Sequence, residues 1–380
     1  MLNLLRNKAW PIALDIGTDS IKMLQVQKVS GAVRACASAR YVFPEPAPTD
    51  PKGRQELAVA AIRQMLKKGG FVGRRVVSAL SCEQLSIKNI RLPQMPEKEL
   101  TEAIKWEAKG RFDFDVSGDH LIYLHAGQVR QGTETGEEII LMALPDQTMD
   151  AHLTLLDEAG LKPEHIDAEP IALFRSFERF LRRKADEEAV SVIVDIGSSA
   201  TRLVVARGRQ VVFVKSIDIG GRKMNESVAS HLNLSYSEAA ELRLRTLREP
   251  PDHPAKPAEP AAVNWTLRDA VREPAEALAK ELALCLRYCL VTFRGIRPDR
   301  ITVTGGQAYD PALIELLQKN LNMECVVGHP LRNIDVSSVD LSGDRRGMLC
   351  EWAVCTGLAI RDVQFQTLRE AEHGENRLSA

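Results

Sequence analysis

Two stretches of the chain repeat one another. IALDIGTDSIK at 12–22 and VIVDIGSSATR at 192–202 each pass from an apolar run into Asp-Ile-Gly, then small hydroxyl or acidic residues, then a cation. Asp15 and Asp195 are the matching aspartates, 180 positions apart (195 minus 15). Self-similarity at a long spacing marks a repeated structural unit, so two related domains with one loop each are expected. The element after each glycine decides the kind of loop. Ile21, Met23 and Val26, and then residues 203–206, run as β-branched, apolar strand. Each glycine therefore turns a β-hairpin. A dinucleotide fingerprint, whose glycines open a helix, is excluded, and no G-x-x-x-x-G-K-[ST] phosphate loop occurs.

A hairpin of this composition suits an anionic ligand. Gly17 allows a tight turn and close approach to the backbone. Successive N–H groups of such a turn point into one concavity and bind anionic oxygens. Thr18 and Ser20 add hydroxyl donors, and Lys22 offers a point charge to a phosphate. Asp15, with Asp195 in the same role, suits Mg²⁺, which keeps most of its waters and takes one or two carboxylates plus phosphate oxygens. Two such loops on two domains make a phosphate clamp, and clefts between domains are common ligand sites. Gly220-Gly221 after the second hairpin and Gly305-Gly306 at the end of ITVTGG would let a sugar or base approach the backbone. Taken singly, each pair reads first as an ordinary turn.

Between the copies, residues 74–150 are expected to form a compact α+β insert. RRVVSALSCEQLSIKNIRL alternates as one or two strands. Pro96 with Glu97 and Glu99 opens a helix, and Leu100, Ile104 and Ala108 give it an apolar face. HLIYLHAGQV and EEIILMALP read as a hairpin around QGTETG. Residues 151–183 are expected as helix, turn and helix, with Gly160 ending the first. The charged stretch 184–190 marks the boundary before the second copy. A helical stretch at 221–248, a Pro-rich loop at 249–262, and a long helix at 265–294 with a kink or break at Pro274 precede the strand ITVTGGQA. The polar tail is expected to be disordered.

Composition narrows the function. Lysine plus arginine (50) balance aspartate plus glutamate (51), which excludes a nucleic-acid binder working by bulk electrostatics. No apolar run approaches the length of a spanning helix, and MLNLLRNKAW lacks a signal-peptide pattern, leaving a frayed end or a short interfacial helix. Seven cysteines without C-x-x-C spacing fit free thiols in a reducing cytosol. Cys285 and Cys289, four apart, are expected as small buried hydrophobes, not as metal ligands.

The order of these motifs resembles the actin/Hsp70/sugar-kinase superfamily: a first phosphate loop at 15–22, a second at 195–202, an adenosine motif at 303–307. Within it the chain resembles the PilM family of type IV pilus assembly proteins, relatives of the cell-division protein FtsA. The resemblance is carried by KELTEAIKWEAKGRFDFD, DEAGLKPEHIDAEPIALFRSF, GGRKMNESVASHLNLSYSEAAELR, KELALCLRYCL and WAVCTGLAIRDV. It implies an α/β, actin-like (ribonuclease H-like) duplicated two-domain fold with an α+β insert in the first domain. The first domain would be 11–73 plus 151–190, the insert 74–150, and the second domain 191–362 with a helical subdomain at 220–299, followed by a tail at 363–380.

The same resemblance implies ATP and Mg²⁺ as ligands, with slow hydrolysis at most. Asp15 and Asp195 would hold the metal through water. Gly17, Thr18, Asp19, Ser20 and Lys22 would surround the phosphates from one side, and Gly197, Ser198 and Ser199 from the other, with Arg202 the counterpart of Lys22. Gly220, Gly221 and Lys223 would lie near the ribose, Glu238 or Glu241 and Arg243 near the adenosine, and Gly305, Gly306 and Gln307 near the base or α-phosphate. Glu169 is the candidate general base, weighed against a solvated acid at a helix start. The implied partner is the cytoplasmic N-terminal peptide of a PilN-like inner-membrane protein, bound near the insert, with the pilus motor ATPase and a second copy of the chain as further candidates. The protein would be cytoplasmic, at the inner face of the membrane through its partners. A small-metabolite kinase of the sugar type and an FtsA-like filament former are the competing classes.

Overall fold

The computed structural model describes residues 9–363 apart from 46–47, 49, 117, 132–133, 249–260, 294–296 and 342–347. The expectations for the extreme N-terminus, for most of the Pro-rich loop and for the tail lie outside the described residues. In chain order the elements are β1 (Ile12–Ile16), β2 (Ser20–Val29), β3 (Ala32–Val42), α1 (Pro51–Lys68), β4 (Arg75–Leu80), β5 (Ser86–Pro93), α2 (Glu97–Lys109), β6 (Leu121–Gln131), β7 (Glu134–Ala143), α3 (Asp146–Glu158), β8 (Lys162–Ala168), α4 (Glu169–Glu178), β9 (Val190–Ile196), β10 (Thr201–Arg207), β11 (Gln210–Ile217), α5 (Gly221–Leu232), α6 (Tyr236–Arg248), α7 (Ala261–Thr292), β12 (Arg300–Thr304), α8 (Pro311–Leu321), β13 (Glu324–Val327) and α9 (Ala353–Ala359).

The strands form two five-stranded sheets of the same order and one of three. The first runs β3-β2-β1-β4-β8 and the second β11-β10-β9-β12-β13. In both, an antiparallel meander is extended by two parallel strands. Both faces of the first sheet are covered, and period-two alternation divides its side chains between two cores. Ile12, Leu14, Ile21 and Met23 join Ala58 and Ile62 of α1 and Leu156 of α3. Ala13, Leu24 and Val77 face the other way, into the cluster that holds α4 and α9. This second cluster runs on into the second domain. Its closest approach is at Gly357, where a Cβ would stand 1.7 Å from the carbonyl oxygen of Ala172. The crossing of α4 and α9 is thus backbone on backbone, a contact that only glycine permits.

The insert is a three-stranded sheet, β5-β7-β6. One face carries α2 through Leu100, Ile104 and Ala108 against Ile90, Ile139 and Leu141. Ala126, Val129, Ile140 and Met142 on its other face belong to the large core. The insert is rooted in the first domain and leans on the second through its outermost strand and its long helix: Gln210 Nε2 of β11 donates to the carbonyl of His125 at 2.9 Å, and Tyr288 OH of α7 to Glu138 Oε1 at 3.2 Å.

Three boundaries differ from the expectations. The insert does not begin at 74: Arg75–Leu80 pairs in parallel with β1 and β8 and is a central strand of the first sheet. It does not reach 150 either, because α3 starts at Asp146 and packs on the first sheet. The turn expected between two helices in 151–183 is a strand, β8, completing that sheet. KPEHIDA carries too many polar residues to announce a strand, since β8 is an edge with its first residues exposed. The long helix of the second domain runs continuously through Pro274. Among the described residues, no helix is long and apolar enough to cross a membrane.

Candidate functional site

The two echoing loops have the same local geometry. Gly17 N–H donates to the carbonyl of Ser20 at 3.0 Å, and Gly197 N–H to the carbonyl of Ala200 at 3.0 Å. The ladders below them are also in matching register: Asp15 pairs with Lys22, and Asp195 with Arg202. Each aspartate therefore shares a sheet face with its cation. The tips meet across the two domains, Thr18 Oγ1 lying 2.8 Å from Ser199 Oγ. A second link crosses beside them, Arg222 to Asp19 at 4.0 Å.

Beneath the tips lies a cluster of buried charge. Lys22 Nζ is 3.2 Å from Asp15 Oδ2. Asp195 is buried, and desolvation pushes its carboxyl up to about 6, against the pull of Arg202 and Lys22 and with the push of Glu169 and Asp15. Arg202 is buried as well and is held firmly protonated by Glu169 and Asp195, although burial alone would act the other way. Its Nε lies 3.1 Å from Glu169 Oε1 as an ion pair, yet without the alignment of a hydrogen bond, so this buried nitrogen has no hydrogen-bond partner. Glu169 is not the solvated helix-start acid considered above. It is buried, and its Oε2 accepts from Cys82 N–H at 2.7 Å.

Glycines form the wall. A Cβ on Gly220 would stand 2.4 Å from the Ser198 carbonyl oxygen, and one on Gly305 2.5 Å from Asp195 Oδ1. Gly305 also has φ +90°, a left-handed backbone that favours glycine. The first turn of α5 is stitched to the second tip: Gly221 N–H donates to the Gly197 carbonyl at 3.0 Å and Arg222 N–H to that of Ser198 at 2.8 Å. Gln307 N–H donates to Ile196 O at 3.1 Å, and its side-chain oxygen accepts from Arg243 Nη2 at 2.8 Å. Arg243, buried, also bonds Gly221 O and Asn225 and lies 3.7 Å from Asp310.

The expected residues thus divide. Asp15, Gly17, Thr18, Ser20, Lys22, Asp195, Gly197, Ser198, Ser199, Gly220, Gly221, Arg243, Gly305 and Gln307 converge on one cleft. Gly306 is exposed at its edge, as is Lys223 on the first turn of α5. Glu238 serves elsewhere: its carboxylate accepts from Ser235 N–H at 2.8 Å while Ser235 Oγ accepts from Glu238 N–H at 3.3 Å, the reciprocal cap of α6. Serine followed three positions later by glutamate is that cap's signature. Glu241 is exposed on the same helix. Arg54 escaped the sequence reading. From α1 it donates to the carbonyls of Gly17 at 3.2 Å and Thr18, with its guanidinium 4.6 Å over the Phe43 ring. Glu83 escaped it too, accepting a hydrogen bond from Ser199 Oγ. Both lie far in sequence from the loops they serve.

A model of type IV pilus assembly protein PilM matches residues 13–363. The chain belongs to the PilM family. A solved PilM-PilN type IV pilus biogenesis complex is similar at 24% identity with a TM-score of 0.73, covering 92% of this chain and 98% of that one. The ethanolamine utilization protein EutJ of Carboxydothermus hydrogenoformans follows at 14% identity and TM-score 0.53, covering 95% and 92% of the two chains. MreB5 of Spiroplasma citri, solved with ADP, is similar at 11% identity and TM-score 0.50, covering 96% and 98%. The family and these folds make this an actin-like protein of type IV pilus assembly.

The residues present fit a magnesium nucleotide. Gly220 and Gly305 let the wall close against the second tip and Asp195, two hydroxyls face each other at the tips, and Arg202 and Lys22 bring positive charge beside Asp195. Among the described residues no three His, Cys, Asp or Glu side chains form a cage for a metal.

Proposed function

We propose that this protein is a nucleotide-binding scaffold of the pilus assembly machinery, taking Mg²⁺-ATP between its hairpin tips. The observation that carries this is the meeting of Thr18 and Ser199 above one buried group of Asp15, Lys22, Asp195 and Arg202. In the bound state the N–H groups and hydroxyls of both tips hold phosphate oxygens. Lys22 and Arg202 balance their charge, while Asp15 and Asp195 hold the waters of Mg²⁺. The metal supplies charge neutralisation at the phosphates. The wall built on Gly220, Gly221 and Gly305 faces the nucleoside, with Arg243 and Gln307 fixing it from behind.

Slow turnover follows from the partners of Glu169. A general base needs a free lone pair within reach of the attacking water. Here the carboxylate is held between two protein partners, Oε1 ion-paired with Arg202 and Oε2 accepting from Cys82 N–H, and is oriented toward them. ATP is then chiefly a structural or switching ligand. On the same reading the insert side of the molecule receives the short cytoplasmic N-terminal peptide of a PilN-like inner-membrane protein, bringing the scaffold to the inner face of the membrane through its partner.

Thermal unfolding tests the nucleotide. At about a hundredfold excess of Mg²⁺-ATP over its Kd, folding gains about 2.7 kcal/mol, and Tm rises by about 3–4 °C. An unchanged Tm in intact protein overturns the clamp. Co-purification with the N-terminal peptide of a PilN-like membrane protein, with and without nucleotide, tests the partner.

A further inference from the structure

The insert leaves the first domain through a short turn that the second hairpin reaches across the cleft to hold. Gln84 and Leu85 N–H donate to the Ser81 carbonyl at 2.9 and 3.1 Å, and Ser81 N–H to Gln84 Oε1 at 3.0 Å, so residues 81–85 move as one turn. Two contacts tie this turn to the rest of the site. Cys82 N–H donates to Glu169, whose other oxygen faces Arg202 of the second hairpin. Glu83, an exposed side chain, accepts from Ser199 Oγ at the tip of that hairpin.

The hydroxyl chemistry fixes the direction of these bonds. A serine hydroxyl has one proton to donate, and a carboxylate can only accept. Ser199 gives its proton to Glu83, so the bond between the tips is donated by Thr18. The chain Thr18 to Ser199 to Glu83 therefore spends both tip donors inside the protein. A phosphate entering between the tips needs those donors, and its charge repels the Glu83 carboxylate.

We propose that Glu83 gates the cleft: its bond to Ser199 competes with phosphate, and phosphate binding releases the root of the insert. The inference rests on the nucleotide reading above and adds a regulation to it. Because the insert is rooted at this turn and leans on β11 through Gln210 and on α7 through Tyr288, release at Glu83 leaves its outer face free to shift against the second domain. Occupancy of the cleft is thereby passed to the surface of the insert. Coupling of this kind is reciprocal: if nucleotide opens the Glu83 contact, losing that contact must tighten nucleotide by the same factor.

The experiment compares wild type with Glu83→Ala and Glu83→Gln, using Mg²⁺ with a non-hydrolysable ATP analogue. Affinity is read by calorimetry and the root by amide exchange across residues 81–93. Wild type should exchange faster there when nucleotide binds. Glu83→Ala should show that fast exchange without nucleotide, should gain no more on adding it, and should bind about fivefold tighter or better. Glu83→Gln keeps an acceptor without the charge and should fall between. A merely structural role for Glu83 would weaken binding, not strengthen it. If wild type binds but Glu83→Ala binds no tighter, or the root does not respond to nucleotide, the gate is wrong while the clamp stands. If wild type binds nothing, both fall.

Discussion

In the first hairpin the cation stays with its own aspartate, Lys22 Nζ lying 3.2 Å from Asp15. In the second, the residue at the same register, Arg202, turns to Glu169 at the start of α4. The tips are braced just as differently. Arg54 of α1 holds the first by its carbonyls, within one domain, whereas Glu83 at the root of the insert holds the second from across the cleft. Two copies of one motif have thus been wired to different parts of the molecule. The first is a fixed jaw, and the second is connected to whatever the insert does.

The largest expected effect tests whether both jaws grip the same ligand. Asp15→Ala and Asp195→Ala should each remove most of the nucleotide-induced rise of about 3–4 °C in Tm. Differential scanning fluorimetry with and without Mg²⁺-ATP measures it. Loss in only one variant would break the symmetry of the clamp and assign the metal to one aspartate.

A smaller effect, of opposite sign in the two jaws, sharpens the contrast. The Asp195 carboxyl is raised to about 6 by burial, so the folded state binds more protons than the unfolded between about pH 4 and 6. Without ligand, stability then falls as pH rises through that window, and the full cost is present above it. Asp195→Asn should therefore stabilise the nucleotide-free protein near pH 7.5 by about 1–3 kcal/mol and flatten that part of the pH profile. Asp15→Asn instead leaves the buried Lys22 unpaired and should destabilise by about 1 kcal/mol or more. Denaturant unfolding at pH 5 and 7.5 reads both. The first substitution also shows what the site is for, since a buried carboxylate kept at a cost to the fold is explained by a cation it must bind.

Most of this architecture was legible because a duplicated Asp-Ile-Gly hairpin leaves few alternatives for its surroundings. The residues that converge are largely those whose type announces a chemical role, with Gly17 and Gly197 at the turns, Asp15 and Asp195 before them, and Lys22 after. The hidden part was set by tertiary contact. Arg75–Leu80 looks like part of a continuous run with the next strand, and only pairing with β1 assigns it to the first sheet. Glu238 looked like a ligand because it lies near an expected position, and Ser235 three residues earlier gave the cap away. Arg54 and Glu83 carry no local signal at all. Glu169 was visible as a candidate, but its burial and both of its partners come from elements far along the chain.

The smallest effect separates the jaws most cleanly. Arg54 is half-buried, with its guanidinium over Phe43 and its Nη2 on the carbonyls of Gly17 and Thr18. Arg54→Ala removes a charged donor from two carbonyls that water can partly reach, so the loss should be about 1 kcal/mol, a fall in Tm of about 1 °C. Its consequence should stay within the first domain. Amide exchange should rise at 15–20 and stay unchanged at 81–93, because no described contact joins Arg54 to the root of the insert. If exchange at 81–93 rises as well, the first tip is coupled to the insert through Thr18 and Ser199, and the hairpins act as one body in place of a fixed jaw and a connected one.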